Sequence, residues 1–177
     1  MPALGEVGAG SFEAPAHAGS LRGYSKEKPF QLDVVVDVVA VGDLCGDADV
    51  TVVNEPEASS LTDLEVATPE QAVRAAAKLA ENGHRLVIVT LGANGSGAFE
   101  SGEAPHYPAP AIRAVDTTAA GDSFCGALAV ALVEGKGTAE AVRFATAASA
   151  LCAMSAGAMP SIPEREALEC MCAESCF

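Results

Sequence analysis

The sequence predicts an α/β domain built on a parallel sheet, and three features carry that expectation. Runs rich in β-branched apolar residues recur at 33–41, 50–53 and 85–90. Continuous apolar runs of this length, bounded by turn residues, are the pattern of strands buried on both faces. Between the second and third runs the apolar spacing turns helical, and strand, helix, strand of these lengths implies a right-handed crossover between parallel strands. Residues 123–133 contain no charge at all. That stretch is too short to cross a bilayer, which takes roughly 20 apolar residues, so it reads as a helix buried inside a protein.

Taken in order, residues 1–30 are rich in Gly, Ala, Ser and Pro without a sustained period, and are expected to form an irregular lead-in. Residues 33–41 form a strand stopped by Gly42-Asp43, and 50–53 a second that gives way at Asn54-Glu55-Pro56-Glu57. Thr68-Pro69-Glu70-Gln71 opens a helix, with a Thr cap, Pro at the first position and Gln three residues on. Ala72, Val73, Ala76, Leu79 and Ala80 form its apolar stripe, and Asn82-Gly83 closes it. The strand at 85–90 runs into the glycine-rich turn Thr90-Leu91-Gly92-Ala93-Asn94-Gly95. Short β segments are expected at 98–100 and 106–109, around Ser101-Gly102-Glu103. After Gly135-Lys136-Gly137, Thr138 is expected to cap a helix running to about Ser155, with Ala141, Val142, Ala145, Ala148 and Cys152 inward. Gly157 ends it, and 169–177 is a cysteine-rich tail.

The chain has 177 residues, enough for one domain with a sizeable core, and half of them are apolar. Ten basic against 24 acidic residues give a net charge of −14, with no basic cluster. That balance argues against nucleic acid or an anionic membrane as partner, because a phosphate backbone demands a basic face. An anionic nucleotide would have to be held locally, by N–H groups and a metal ion. No secretory pattern marks the start, so reduced thiols and a cytoplasmic location are expected. Cys125 and Cys152 fall in apolar helical stretches and read as core residues. Cys170, Cys172 and Cys176 cluster without a nearby histidine, a poor match to a complete zinc site. His84 and His106 show no evident partners.

The chemistry concentrates at Asp116-Thr117-Thr118-Ala119-Ala120-Gly121-Asp122-Ser123-Phe124. Ala119, Ala120 and Gly121 form the turn into the uncharged helix. Their small side chains let a ligand approach the backbone, and the first N–H groups of a helix are unpaired and positively polarised. Such a helix start is an anion cradle. Asp122 beside it is either an ordinary first-turn acid or a proton acceptor for a hydroxyl attacking a bound phosphoryl group. At Asn54-Glu55-Pro56-Glu57 an amide and two carboxylates stand at a strand end, where α/β sheets bind ligands. From the residues alone these are either an acidic first helical turn or, usually through water, Mg²⁺ ligands. The glycine turn at 90–95 lacks the Lys-Ser/Thr of a phosphate-binding P-loop and reads by itself as a tight turn.

The 116–124 motif, with Asn54-x-x-Glu57 and the Thr90-Leu91-Gly92-x-x-Gly95 turn in the same order, resembles the ribokinase family of sugar and nucleoside kinases, the PfkB group. The resemblance covers roughly 48–168 and is taken with 31–168 as a nucleotide-binding and catalytic half-domain. It therefore implies a ribokinase-like sheet flanked by helices but truncated, with the N-terminal half and the small β lid that shields the sugar missing. It further implies that Ala119, Ala120 and Gly121 form the anion hole and that Asp122 is the catalytic base. Asn54 and Glu57 would place Mg²⁺ and the phosphates, and Thr90, Gly92 and Gly95 would line the ATP site. Thr146 matches a position that touches adenine. By the same match Asp116, Thr118, Cys152, Ser155, Gly157 and Ser161 would surround K⁺. The implied reaction is ATP-dependent phosphorylation of a sugar hydroxyl, ribose first, with adenosine and fructose behind it. The alternative is a nucleotide-binding remnant without catalysis that acts through a partner. Family dimers join through the lid, so the resemblance leaves the oligomeric state open.

Overall fold

The computed structural model describes residues 50–174. The lead-in at 1–30, the strand expected at 33–41, Cys45 and Cys176 lie outside the described residues. The chain runs β1 (Val50–Asn54), α1 (Glu55–Thr62), α2 (Pro69–Ala80), β2 (Leu86–Thr90), β3 (Ser96–Glu100), β4 (His106–Tyr107), α3 (Ala120–Val133), α4 (Thr138–Ala153) and α5 (Arg165–Glu174).

The four strands form one sheet in the order β1-β2-β3-β4. β1 and β2 are parallel, Val50 opposite Leu86 and Asn54 opposite Thr90, with α2 as the crossover between them. The sheet continues antiparallel, because β2 to β3 and β3 to β4 are joined by short turns that cannot reverse a strand's direction twice. It is thus a mixed sheet with a parallel pair at one end, and β1 is an edge among the described residues.

Alternation along β1 and β2 explains why their runs are apolar throughout. Val52, Leu86 and Ile88 face one core with α3, α4 and α5. Val53, Val87 and Val89 face a second core with α1 and α2. Both faces are covered, so both phases of the strand must be apolar. Burying a side chain such as Ile88 contributes about 1.5–3 kcal/mol.

α2 begins as its sequence demands. Thr68 accepts from Gln71 N–H, Gln71 accepts from Thr68 N–H in return, and Pro69 stands at the first position. Its buried residues are Ala72, Ala75, Ala76 and Leu79, so Ala75 joins the stripe while Val73 and Ala80 sit at its margin. α4 departs from expectation at its start: Thr138 is the first helical residue, and Gly137 occupies the cap position without a side-chain hydrogen bond. All five residues expected to face inward from α4 are buried. α5 crosses the boundary drawn at 168/169, because Leu168 is fully buried and Met171 and Cys172 pack against the core. Arg165 anchors it with two parallel bonds of 2.7 Å to the Glu134 carboxylate at the end of α3. His84, which showed no partner in sequence, is buried with Nδ1 3.2 Å from the Thr51 hydroxyl. His106 is exposed, and its Nε2 donates to Asn94 O at 2.7 Å.

Candidate functional site

Two segments at the C-terminal ends of the parallel strands carry predicted residues. β1 ends at Asn54 and β2 at Thr90, and register places these two opposite each other. The Thr90 hydroxyl donates to Val53 O at 3.3 Å, tying the strand ends together.

Asn54 caps α1. Its Oδ1 accepts from Glu57 N–H at 3.0 Å, while Glu57 Oε2 accepts from Asn54 N–H at 2.9 Å. The pair is therefore a capping box, in agreement with the acidic first-turn reading. Both residues are exposed, and the box engages one oxygen of the Glu57 carboxylate. The other oxygen suits a hard, hydrated cation such as Mg²⁺.

The turn after β2 is closed by backbone bonds, Leu91 N–H to Gly95 O at 2.8 Å and Asn94 N–H to Leu91 O at 3.0 Å. Gly95 has φ +83°, and a Cβ there would fall 2.0 Å from Tyr107 O. Packing of this turn on β4 thus requires glycine, whatever else the turn holds.

The start of α3 is built differently. Ala119 sits at the cap position in the left-handed region, φ 62° and ψ 7°, with no side-chain cap. Ala120 N–H donates to Thr117 O at 3.2 Å and Ser123 N–H to Ala119 O at 2.9 Å. Between them, the N–H groups of Gly121 and Asp122 have no acceptor among the described residues. A Cβ on Gly121 would meet no atom within 4 Å, so the fold does not require glycine there. Its absence leaves open space against two unpaired amides. Asp122 is exposed at this helix end. One turn in, burial pushes the Cys125 thiol up to about 11, and the Asp122 and Glu57 carboxylates push it in the same direction. Ser123, also in this turn, is buried with its hydroxyl unpartnered among the described residues. Nothing in sequence marks Cys125 or Ser123 out from ordinary core positions.

A second corner joins the 116–118 loop to the end of α4. Asp116 Oδ1 accepts from Thr118 N–H and its Oδ2 from Gly157 N–H, both at 2.9 Å. Those bonds, Gly157 first, hold its carboxyl down at about 2. Cys152 Sγ lies 3.1 Å from Ser161 Oγ and donates to Thr118 O at 3.5 Å. Ser155 is exposed, its N–H donating to Cys152 O at 3.1 Å. Asp116, Thr118, Cys152, Ser155, Gly157 and Ser161 are thus linked by these bonds at one corner. Thr146 lies elsewhere on α4, buried, with its hydroxyl donating to Val142 O at 2.8 Å. Bonding back into its own helix leaves that hydroxyl only acceptor capacity. Among the described residues no group of three or more His, Cys, Asp or Glu is placed to hold a metal ion. Cys170 is exposed and Cys172 half-buried, and no described helix is long and apolar enough to cross a membrane.

Known proteins are similar to this chain in sequence and in fold. The chain is 43% identical over 143 residues to a ribokinase of Arabidopsis thaliana, covering 79% of this chain and 38% of that protein. The structure of Arabidopsis thaliana ribokinase complexed with ribose and ATP is similar with a TM-score of 0.69 at 42% identity, over 75% of this chain and 43% of that one. Phosphofructokinase-2 from Escherichia coli in complex with potassium is similar with a TM-score of 0.64 at 26% identity, over 71% and 40% of the two chains. The chain therefore spans about two fifths of the length of these relatives. The pattern that defines the pfkB family carbohydrate kinases matches residues 16–165, beginning well upstream of the motifs at 48–168. The chain belongs to the pfkB family of carbohydrate kinases.

Proposed function

We propose that this chain carries the phosphoryl-transfer half of an ATP-dependent sugar kinase, with ribose as the favoured acceptor. The observation that carries the reading is the start of α3, two unpaired amides in open space with an exposed carboxylate beside them. A transferred phosphoryl group spreads negative charge over its oxygens, so catalysis rests on positioning and electrostatics. In this reading the Gly121 and Asp122 amides, with Ala119 and Ala120 keeping the wall low, take those oxygens. Asp122 accepts the proton of the sugar hydroxyl as its oxygen bonds to the γ-phosphorus. The bond from that phosphorus to the β–γ bridging oxygen breaks, and ADP leaves with the electron pair.

ATP lies along Thr90, Gly92 and Gly95 in this account, with Thr146 at the base end. Because the Thr146 hydroxyl already donates to its own helix, the base is held there by packing more than by a donated hydrogen bond. The free oxygen of Glu57, steadied by Asn54, suits Mg²⁺, which when bound offsets phosphate charge. The 116–118 and 152–161 corner suits K⁺, whose charge would favour the anion at the neighbouring helix end. Ribose is favoured by the ribokinase relatives, including one whose structure holds ribose and ATP.

The test is ADP release with and without ribose, together with ATP binding by titration. Ribose-dependent turnover that disappears in Asp122→Asn supports the kinase. ATP binding with no ribose-dependent turnover, unchanged in Asp122→Asn, would replace it with a nucleotide-binding remnant that acts through a partner.

A further inference from the structure

A cavity of about 430 Å³ lies between the β3–β4 hairpin and the first turn of α4, and it shares no residue with the site at α3. Its volume falls in the range of small-molecule sites, roughly 300–1,000 Å³. Four features of its lining point to a ligand.

α4 is 16 residues long and uncapped. Its first helical bond is Ala141 N–H to Gly137 O at 2.9 Å, and the amides of 138–140 have no acceptor among the described residues. They bring the partial positive charge of a helix start to the cavity wall. Arg143, one turn further along, is exposed and forms no ion pair among the described residues. Across the cavity, Glu100 and Glu103 are clamped side by side by reciprocal backbone bonds of 3.0 and 2.9 Å, and neither forms an ion pair among the described residues. Glu140 is different, since Lys136 holds its carboxylate. Tyr107 is the independent pointer. It is 8% exposed, lines the cavity, and its hydroxyl has no hydrogen-bond partner among the described residues. Burial pushes that phenol up, Arg143 pulls it down, and Glu100 and Glu103 add to the push. Tyr107 shares this lining with Arg143, Glu100 and Glu103.

A plain anion would meet two uncompensated carboxylates, and a plain cation would meet a guanidinium and a helix start. We propose that the cavity binds a small zwitterion of the amino-acid class. Its carboxylate lies against Arg143 and the α4 amides, its ammonium against Glu100 and Glu103, and the Tyr107 hydroxyl bonds between them. Ala98 and Pro105 offer an apolar wall to a medium aliphatic side chain.

The experiment is calorimetric titration of the full chain with L-leucine, and with propionate and propylamine as its single-charge halves. Saturable L-leucine binding at least tenfold tighter than either half is expected. Arg143→Gln should weaken it tenfold or more, and Tyr107→Phe several-fold, each with an unchanged melting temperature. Arg143 is exposed, so its variant keeps the test valid should Tyr107→Phe destabilise the core. No saturable binding, equal binding of the halves, or L-leucine affinity indifferent to Arg143→Gln overturns the proposal. ATP binding reports separately on the α3 site, so the two readings can fail independently.

Discussion

The starts of α1 to α4 divide into two kinds. α1 and α2 begin with complete capping boxes, Asn54 with Glu57 and Thr68 with Gln71, and each has a proline in its first turn. α3 and α4 begin with Ala119 and Gly137, neither of which offers a side-chain oxygen. A capped start satisfies its own amides, whereas an uncapped one leaves them to water or to a ligand. The capped starts enter helices that cover one face of the sheet, and the open ones lie at the α3 site and at the cavity beside β4. Helix stability and ligand capture compete for the same N–H groups, and in the proposed readings this chain assigns the two tasks to different helices.

The largest effect that would break this division lies at Asp122. Asp122→Asn keeps size and hydrogen-bonding shape but removes the proton acceptor, so ribose-dependent ADP release should fall by about 10²–10⁴-fold. Melting temperature should hold, because Asp122 is exposed. Turnover at the level of the parent chain would make Asp122 an ordinary first-turn acid. Gly121→Ala sharpens the same point in the opposite sense. The added methyl meets no protein atom, so it should raise stability by about 0.4–1 kcal/mol in denaturant melts. It also narrows the space over the open amides, and turnover should fall while stability rises. A gain in both would show that nothing approaches this backbone.

At the capped starts the effects reverse. Thr68→Ala and Asn54→Ala each remove one half of a box and should cost about 1 kcal/mol in chemical denaturation. Thr68→Ala should leave ATP binding intact, because Thr68 lies on none of the site segments. Asn54→Ala should weaken both, since the proposed function places Mg²⁺ at its partner Glu57. Equal stability loss with no change in ATP binding from either variant would remove the Asn54–Glu57 pair from the nucleotide site.

Much of this was legible in sequence, for local reasons. The strands announce themselves because both faces are buried, and α2 because its caps lie within four residues. The α3 start is readable from small residues beside an acid. What stayed hidden depends on conformation or distance. Alanine gives no hint that Ala119 adopts positive φ, a state usually left to glycine or asparagine. Thr138 looks like a cap, yet the backbone turns one residue earlier at Gly137. The bond of the Thr146 hydroxyl to Val142 O appears only once the rotamer is known. His84 with Thr51 and Arg165 with Glu134 are separated by 33 and 31 residues. The cavity at α4 joins 98–107 to 137–143, which only tertiary packing brings together.

The smallest expected effect concerns Asp116, which serves the loop leading into the open α3 start. Its carboxylate is stabilised by Gly157 and Thr118 N–H groups, so its folded value is about 2 against an ordinary 3.8. A depressed carboxyl adds stability only while ionised in the folded state. The contribution is therefore complete above about pH 4 and is lost as pH falls through 3.8 towards 2. Solvent screens a group that is only partly buried, so the change in melting temperature should be slight. Asp116→Asn abolishes the ionisation, and the difference between its melting temperature and the parent's should hold above about pH 4 and shrink from there to pH 2. A difference that stays constant over that interval would mean the two amides do not favour the charged form. The 116–118 loop would then owe its shape to packing alone, and the case for a cation at this corner would lose its charged anchor.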